Sequence, residues 1–208
     1  MLRRLITRVL AAVAILVVVL GAVLFVPPIR DRFFVMNLWP WHINGEVTSA
    51  DIRAVEAVSK PGDVIIETNW HYWQWVTLCR ICTGSTWVHA SLVDERGRLL
   101  TVAGSVKNLP MDIYLQWRST RLAVIRPPYA NHEAAQKAIS HARSKLGHAY
   151  DPSFNDQDGN CTGLVADSLH AAGIEVPSIT KLGHRIFPAS AFFRIRNAQV
   201  VWTSGTKQ

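Results

Sequence analysis

Residues 146–177 read LGHAYDPSFNDQDGNCTGLVADSLHAAGIEVP, and this stretch decides the fold. Asn160 suits a helix N-cap, because its side-chain oxygen can accept a backbone N–H two or three residues on. Cys161 then falls in the first helical turn. Leu164, Val165, Ser168, Leu169 and Ala172 share one face of that helix, and Gly173 stops it. The unpaired N–H groups and the dipole at a helix start stabilise a thiolate. A neighbouring imidazolium would stabilise it further, giving a nucleophile ready at neutral pH. The competing reading is a buried structural cysteine. The small, polar, glycine-flanked surroundings of Cys161 favour the nucleophile.

A base must come from eight histidines. His170 lies nine residues past Cys161, and nine steps of ~100° put it on the opposite helix face. His184 is expected in a loop flanked by proline and glycine, and His71 in a tryptophan-rich loop. His132, His141 and His148 belong to a helix face or its end. His89 differs, because it follows Thr86-Trp87-Val88 and opens the apolar strand HASLV. A base held within hydrogen-bond reach of a thiol needs such a rigid support. The alternative for His89 is a core histidine with satisfied hydrogen bonds.

Working outward, a helix is expected over about residues 50–59, capped by Thr48 or Ser49, with Ile52, Val55 and Val58 on one face. Pro61-Gly62 ends it and leads into the strand DVIIE. WVHASLVD and RLLTVAG form a hairpin about Asp94-Glu95-Arg96-Gly97. RLAVIR (121–126) is a further strand. Asn131 caps a long helix in which Ala134, Ala135, Ala138, Ile139, Ala142 and Leu146 recur at helical spacing, with Gly147 as its C-cap. FFRIRNAQVVW holds one or two strands. These elements predict an α+β domain, an antiparallel sheet packed with helices.

The motifs resemble those of the NlpC-type cysteine peptidases of bacterial cell walls. Gly147 and Tyr150 lead to Asn160-Cys161-Thr162-Gly163-Leu164, where the family has Gly-x-x-Tyr followed by Asp-Cys-Ser-Gly-Leu. Pro61-Gly62-Asp63, His89-Ala90-Ser91-Leu92 and Gly97-Arg98-Leu99-Leu100 resemble its Pro-Gly-Asp strand, its histidine strand and its next strand. Here the histidine strands precede the cysteine helix. That order is similar to the circularly permuted branch, the YiiX- and YaeF-like amidases, and also to lecithin:retinol acyltransferase-like proteins. The resemblance covers roughly residues 60–180 and implies a permuted papain-like fold. It implies Cys161 as nucleophile, His89 as base, and Tyr150 and Asn160 as accessory groups that bind substrate or its oxyanion. The third catalytic position, usually His, Asn, Gln or Glu in the family, falls at Thr101. A hydroxyl there can accept the imidazole N–H but brings no charge.

The chain has 208 residues and a formal charge of +7. Residues 9–26 carry no charged or strongly polar side chain, long enough to cross most of a ~30 Å hydrocarbon core. Arg3, Arg4 and Arg8 precede this run, and Pro27-Pro28 ends it. An uncleaved anchor over residues 1–26 is expected, single-pass in the cell inner membrane, with the domain on the periplasmic or extracytoplasmic side. A cleaved secretory signal is the rival, but the run is longer than such a signal needs and VPPIRDRFF offers no small-residue cleavage site. Residues 27–47 read as a linker with Phe33, Phe34, Trp39 and Trp41 near the head groups, and residues 48–203 as the hydrolase domain. The dispersed arginines suit an anionic envelope surface or an ordinary solvated face. No basic run alternates with aromatics, so nucleic acid is not an expected partner.

Cys79-Arg80-Ile81-Cys82 reads as a local disulfide in an oxidising compartment, with free, inert thiols as the alternative. A redox motif would need a βαβ context, and zinc four ligands, so no metal or cofactor is expected. Three functions remain. The first is hydrolysis of an amide bond, in a cell-wall peptide, through a Cys161 acyl-enzyme. The second is lipid acyl transfer or lipid ester or amide hydrolysis, favoured by the anchor and by Trp70, Trp73 and Trp75. The third is a non-catalytic binding domain with the same fold.

Overall fold

The computed structural model describes residues 10–18, 47–69, 76, 79–80, 83–150, 160–181 and 183–204, with the backbone alone at 117 and 118. The chain divides into two compact units, residues 1–44 and 45–208. In the first unit, residues 10–18 are helical and Leu10, Val13, Ile15, Leu16, Val17 and Val18 are exposed. The rest of the apolar run and residues 27–46 of the linker lie outside the described residues. Among the described residues no helix is long and apolar enough to cross a membrane.

The second unit is built on a six-stranded antiparallel sheet. Helix α1 (Ser49–Val58) comes first, started by a capping box in which Thr48 and Asp51 satisfy each other's backbone N–H groups. Strands β1 (Val64–Thr68), β2 (His89–Val93), β3 (Leu99–Val102) and β4 (Val106–Leu109) follow. Helix α2 (Met111–Arg118) and strand β5 (Arg121–Arg126) precede α3 (His132–Ser144) and α4 (Cys161–Ala171). A hairpin of β6 (Ile179–Lys181) and β7 (His184–Ile186), a 3₁₀ turn (Ala189–Arg194) and β8 (Gln199–Thr203) close the unit. The sheet order is β4-β3-β2-β1-β5-β8.

Side chains alternate along each strand, so the sheet has two faces, and both are covered. Val64, Ile66, Ala90, Leu92, Ala123 and Ile125 pack against α3 and α4 through Ala138, Ile139, Leu164 and Leu169. Ile65, Val93, Leu99, Leu122 and Val124 pack against Ile52 and Val55 of α1 and Tyr114 and Leu115 of α2. Both faces are apolar enough to be buried, which explains why all five residues of β1 are enclosed.

The sequence expectations for α1, β1, the β2–β3 hairpin, β5 and the cysteine helix match these elements. Three expectations differ and one narrows. Helix α3 ends at Ser144 with Lys145 as C-cap, so Leu146 falls past the helix and is exposed instead of completing its apolar face. His184 sits on β7, not in a loop. Residues of FFR enter the 3₁₀ turn, and β8 is the one strand of a segment expected to hold one or two. Helix α2 and strand β4 were not foreseen, because each is short and only partly apolar.

The Pro-Gly-Asp motif is a structural staple. Asp63 is buried and binds Arg126 in a fork, Nε to Oδ1 at 2.9 Å and Nη2 to Oδ2 at 2.7 Å, while the Lys60 N–H donates to Oδ2 at 2.8 Å. Gly62 has φ +88°, and a Cβ there would lie 2.8 Å from Tyr129 Cε2. The Tyr129 hydroxyl donates to the Gly62 carbonyl at 2.9 Å, so the ring cannot easily withdraw. Gly62→Ala should therefore lower stability by about 1–3 kcal/mol, combining left-handed backbone strain with overpacking. A urea melt should show a lower midpoint, and an unchanged midpoint would mean that the ring yields freely.

Candidate active site

Asn160 caps α4, with its Oδ1 accepting the Gly163 N–H at 2.7 Å and the Thr162 hydroxyl at 3.2 Å. Cys161 is consequently the first residue of the helix. The thiol donates to the Val88 carbonyl at 4.0 Å, and the Ala90 and Thr162 N–H groups also face the sulfur. It thus packs against the backbone on both sides of His89.

His89 opens β2, and its Nε2 is the focus of a polar cluster. Thr101 Oγ1 lies 2.7 Å from Nε2, the Tyr114 hydroxyl 3.0 Å and Glu67 Oε1 4.0 Å. Ser91 donates to the same Thr101 oxygen at 2.8 Å, fixing that hydroxyl in turn. The strand pleat accounts for this convergence. Glu67 on β1 is directly opposite His89, and Ser91 and Thr101 take the next position on β2 and β3. All four project from the face that α1 and α2 cover, where Tyr114 meets them. Helix α4 covers the other face and brings the thiol to the start of β2, where it meets the backbone at Val88 and Ala90.

His89, Cys161, Asn160 and Tyr150 all line one cavity of about 430 Å³. The Tyr150 N–H is tied to the Gly104 carbonyl at 3.1 Å, and its ring is exposed. The structure thus gathers His89 and Thr101 into hydrogen-bond contact and sets Cys161, Asn160 and Tyr150 on the same cavity wall. Trp87, Val102, Ile186 and Phe187 supply much of the remaining lining, and among the described lining residues there is no lysine or arginine.

Electrostatics at the thiol differ from the sequence expectation. Burial pushes the Cys161 thiol up to about 12, outweighing the Ala90 and Thr162 N–H groups, and the nearby Cys79 and Glu67 raise it further. The resting group is a neutral thiol, because desolvation of a thiolate exceeds what a helix start returns. A pH dependence follows. The folded protein keeps this proton between about pH 9 and 12, where the unfolded chain loses it. Stability should then fall as pH rises through that window, by up to ~1.4 kcal/mol per unit. Burial and Asp63 likewise raise Tyr129. Cys161→Ala should flatten part of this alkaline loss in thermal melts, and an identical slope in the variant would contradict the burial account.

Glu67, Tyr114 and Ser91 were not singled out from sequence. The one available signal was the acid in an otherwise apolar strand, VIIET. Cys82, His71, Trp70, Trp73 and Trp75 lie outside the described residues, so the Cys79–Cys82 pairing and the tryptophan-rich overhang do too. Among the described residues, no group of three or more His, Cys, Asp or Glu is placed to hold a metal ion.

Residues 59–206 match the family model of the permuted papain-like amidase enzymes, YaeF/YiiX, the C92 family. This chain belongs to that family. A solved structure described as the metalloprotein YiiX from Escherichia coli O157:H7 is similar in fold, with a TM-score of 0.61 at 19% identity. The alignment covers 71% of this chain and 98% of that one. No curated protein matches the chain. Membership of the C92 family establishes the fold as permuted papain-like and the chain's kin as amidases. It also extends the similarity from the Pro-Gly-Asp turn through β8, beyond the stretch that the motifs alone cover.

Proposed function

We propose that this protein is a cysteine hydrolase that cleaves an amide bond through an acyl-enzyme on Cys161. The observation that carries the reading is a helix-start cysteine packed against the backbone on both sides of His89, whose Nε2 is held by Thr101 and Tyr114. With Nε2 committed to those partners, Nδ1 is the nitrogen that takes the thiol proton. Because the resting thiol is neutral, His89 removes the proton as the sulfur attacks, after the side chain swings from the Val88 carbonyl toward the ring. The carbon–sulfur bond forms, and His89 then protonates the leaving amine. Water, activated by the same imidazole, releases the acid. The Thr162 N–H and the α4 dipole lie beside the developing oxyanion, with Tyr150 as an accessory donor.

For the substrate, a cell-wall peptide is the first reading, supported by the resemblance to cell-wall peptidases. The cavity favours a second reading, a lipid amide or ester. Its apolar lining lacks a described cation to meet the free carboxylates of a wall peptide, whereas an acyl chain suits Trp87, Val102, Ile186 and Phe187. A thiol-reactive probe competed by either substrate type separates them. Protection of Cys161 by a peptidoglycan fragment supports the first, protection by a lipid amide in mixed micelles the second, and no labelling above Cys161→Ala supports a binding domain. We further propose that the N-terminal segment anchors the domain at the inner membrane on its periplasmic side. Recovery of the full-length protein in the soluble fraction without detergent would count against the anchor.

A further inference from the structure

We propose that Glu67 is the positioning residue of the imidazole, supplying from β1 the negative charge that stabilises the His89 imidazolium formed when Cys161 gives up its proton. The proposal rests on the reading of Cys161 and His89 as nucleophile and base.

Glu67 is 2% exposed in a strand whose five residues are all buried. A carboxylate in such a place is costly unless donors and an opposite charge meet it. The Ser119 hydroxyl donates to Oε2, and Oε1 faces His89 Nε2 at 4.0 Å. Register makes this pairing obligatory, because Glu67 and His89 are direct cross-strand partners on one face. The Val88 N–H donates to the Glu67 carbonyl at 3.0 Å, extending the ladder to the start of β2.

Among the described residues, Glu67 from β1, Thr101 from β3 and Tyr114 from α2 face the His89 ring, and the Cys161 thiol from α4 packs against the backbone beside it. Of these described groups, Glu67 is the one carboxyl, the group able to place a full negative charge beside the ring. Thr101 already accepts from Ser91 and sets the ring's angle without adding charge. The labour is therefore divided: hydroxyls on β3 and α2 orient the ring, and the acid on β1 stabilises its protonated form. Glu67 sits beside the base and disfavours an isolated thiolate. It thereby couples proton transfer to attack, and the proton passes from His89 to the leaving amine, not to Glu67.

The test uses the full-length protein with two readouts, the titration of the His89 ring by NMR and the pH profile of Cys161 alkylation by iodoacetamide, quantified on the Cys161 peptide. Glu67→Gln keeps the size and the acceptor for Ser119. It should lower the His89 midpoint by ~1–2 units and slow alkylation at pH 7 by about tenfold. Thr101→Val should leave the midpoint within about half a unit. Moving the charge, in Glu67→Gln combined with Thr101→Glu, should restore much of both. A merely structural glutamate would move neither readout, and unchanged values in Glu67→Gln overturn the proposal. His89→Ala separates the two ideas. If it slows alkylation while Glu67→Gln does not, Glu67 alone is wrong; if it leaves alkylation unchanged, the nucleophile–base pair falls and this proposal with it. Should Glu67→Gln fail to fold, the wild-type titration decides. A midpoint at or above the ordinary histidine value despite burial supports the pair, and a depressed midpoint overturns it.

Discussion

Cys161→Ala should reduce amide hydrolysis by at least ~10⁴-fold and eliminate any covalent intermediate. The reason is chemical rather than structural. In the proposed mechanism the acyl-enzyme forms on Sγ, and the described cavity wall offers Cys79 as its other thiol, on a different segment from the α4 start. The fold should tolerate the change, because Asn160 still caps α4 through the Gly163 N–H. Removing a sulfur that burial holds neutral also removes an alkaline liability, so the variant should melt no lower than wild type above pH 9. Intact mass after rapid quench reads the intermediate directly. A mass increment persisting on Cys161→Ala, or turnover within tenfold of wild type, would end the cysteine mechanism.

His89→Ala should lower turnover by ~10²–10⁴-fold. With the thiol pushed up to about 12, only about one molecule in 10⁵ carries a thiolate at pH 7 without a base. The variant should therefore regain activity as pH rises, and added imidazole should restore part of it by filling the space that Thr101, Tyr114 and Glu67 surround. Those two signatures distinguish a lost base from a loosened strand. Activity within threefold of wild type would assign the base elsewhere. His184 is excluded by neither its strand nor its exposure, and His170 engages the Val176 N–H at the far end of α4.

Local signals carried much of the site. Asn160 before Cys161 specifies a helix start because the cap needs only a backbone N–H three residues on. His89 followed by alternating apolar residues specifies a strand, and Asp94 to Gly97 joins that strand to the one bearing Thr101. Each of these rests on contacts within about a dozen residues, where chain connectivity restricts the geometry. The permuted order of motifs was legible for the same reason, since it is a property of the chain itself.

Long-range packing decided the rest. Glu67 and His89 are separated by the tryptophan-rich connection, and only the antiparallel register of β1 against β2 brings their side chains to one face. Tyr114 reaches His89 from α2, whose sparse apolar pattern becomes a helix when it can cover β1, β3 and β5. Burial reversed the expected ionisation of Cys161, because desolvation depends on every element packed around the sulfur while the cap and dipole depend on one turn. The sequence by itself determined the cysteine helix, the histidine strand and their unusual order. The tertiary structure alone decided which carboxyl group faces the imidazole and that burial pushes the thiol up, since both follow from what distant segments bring within a few ångströms.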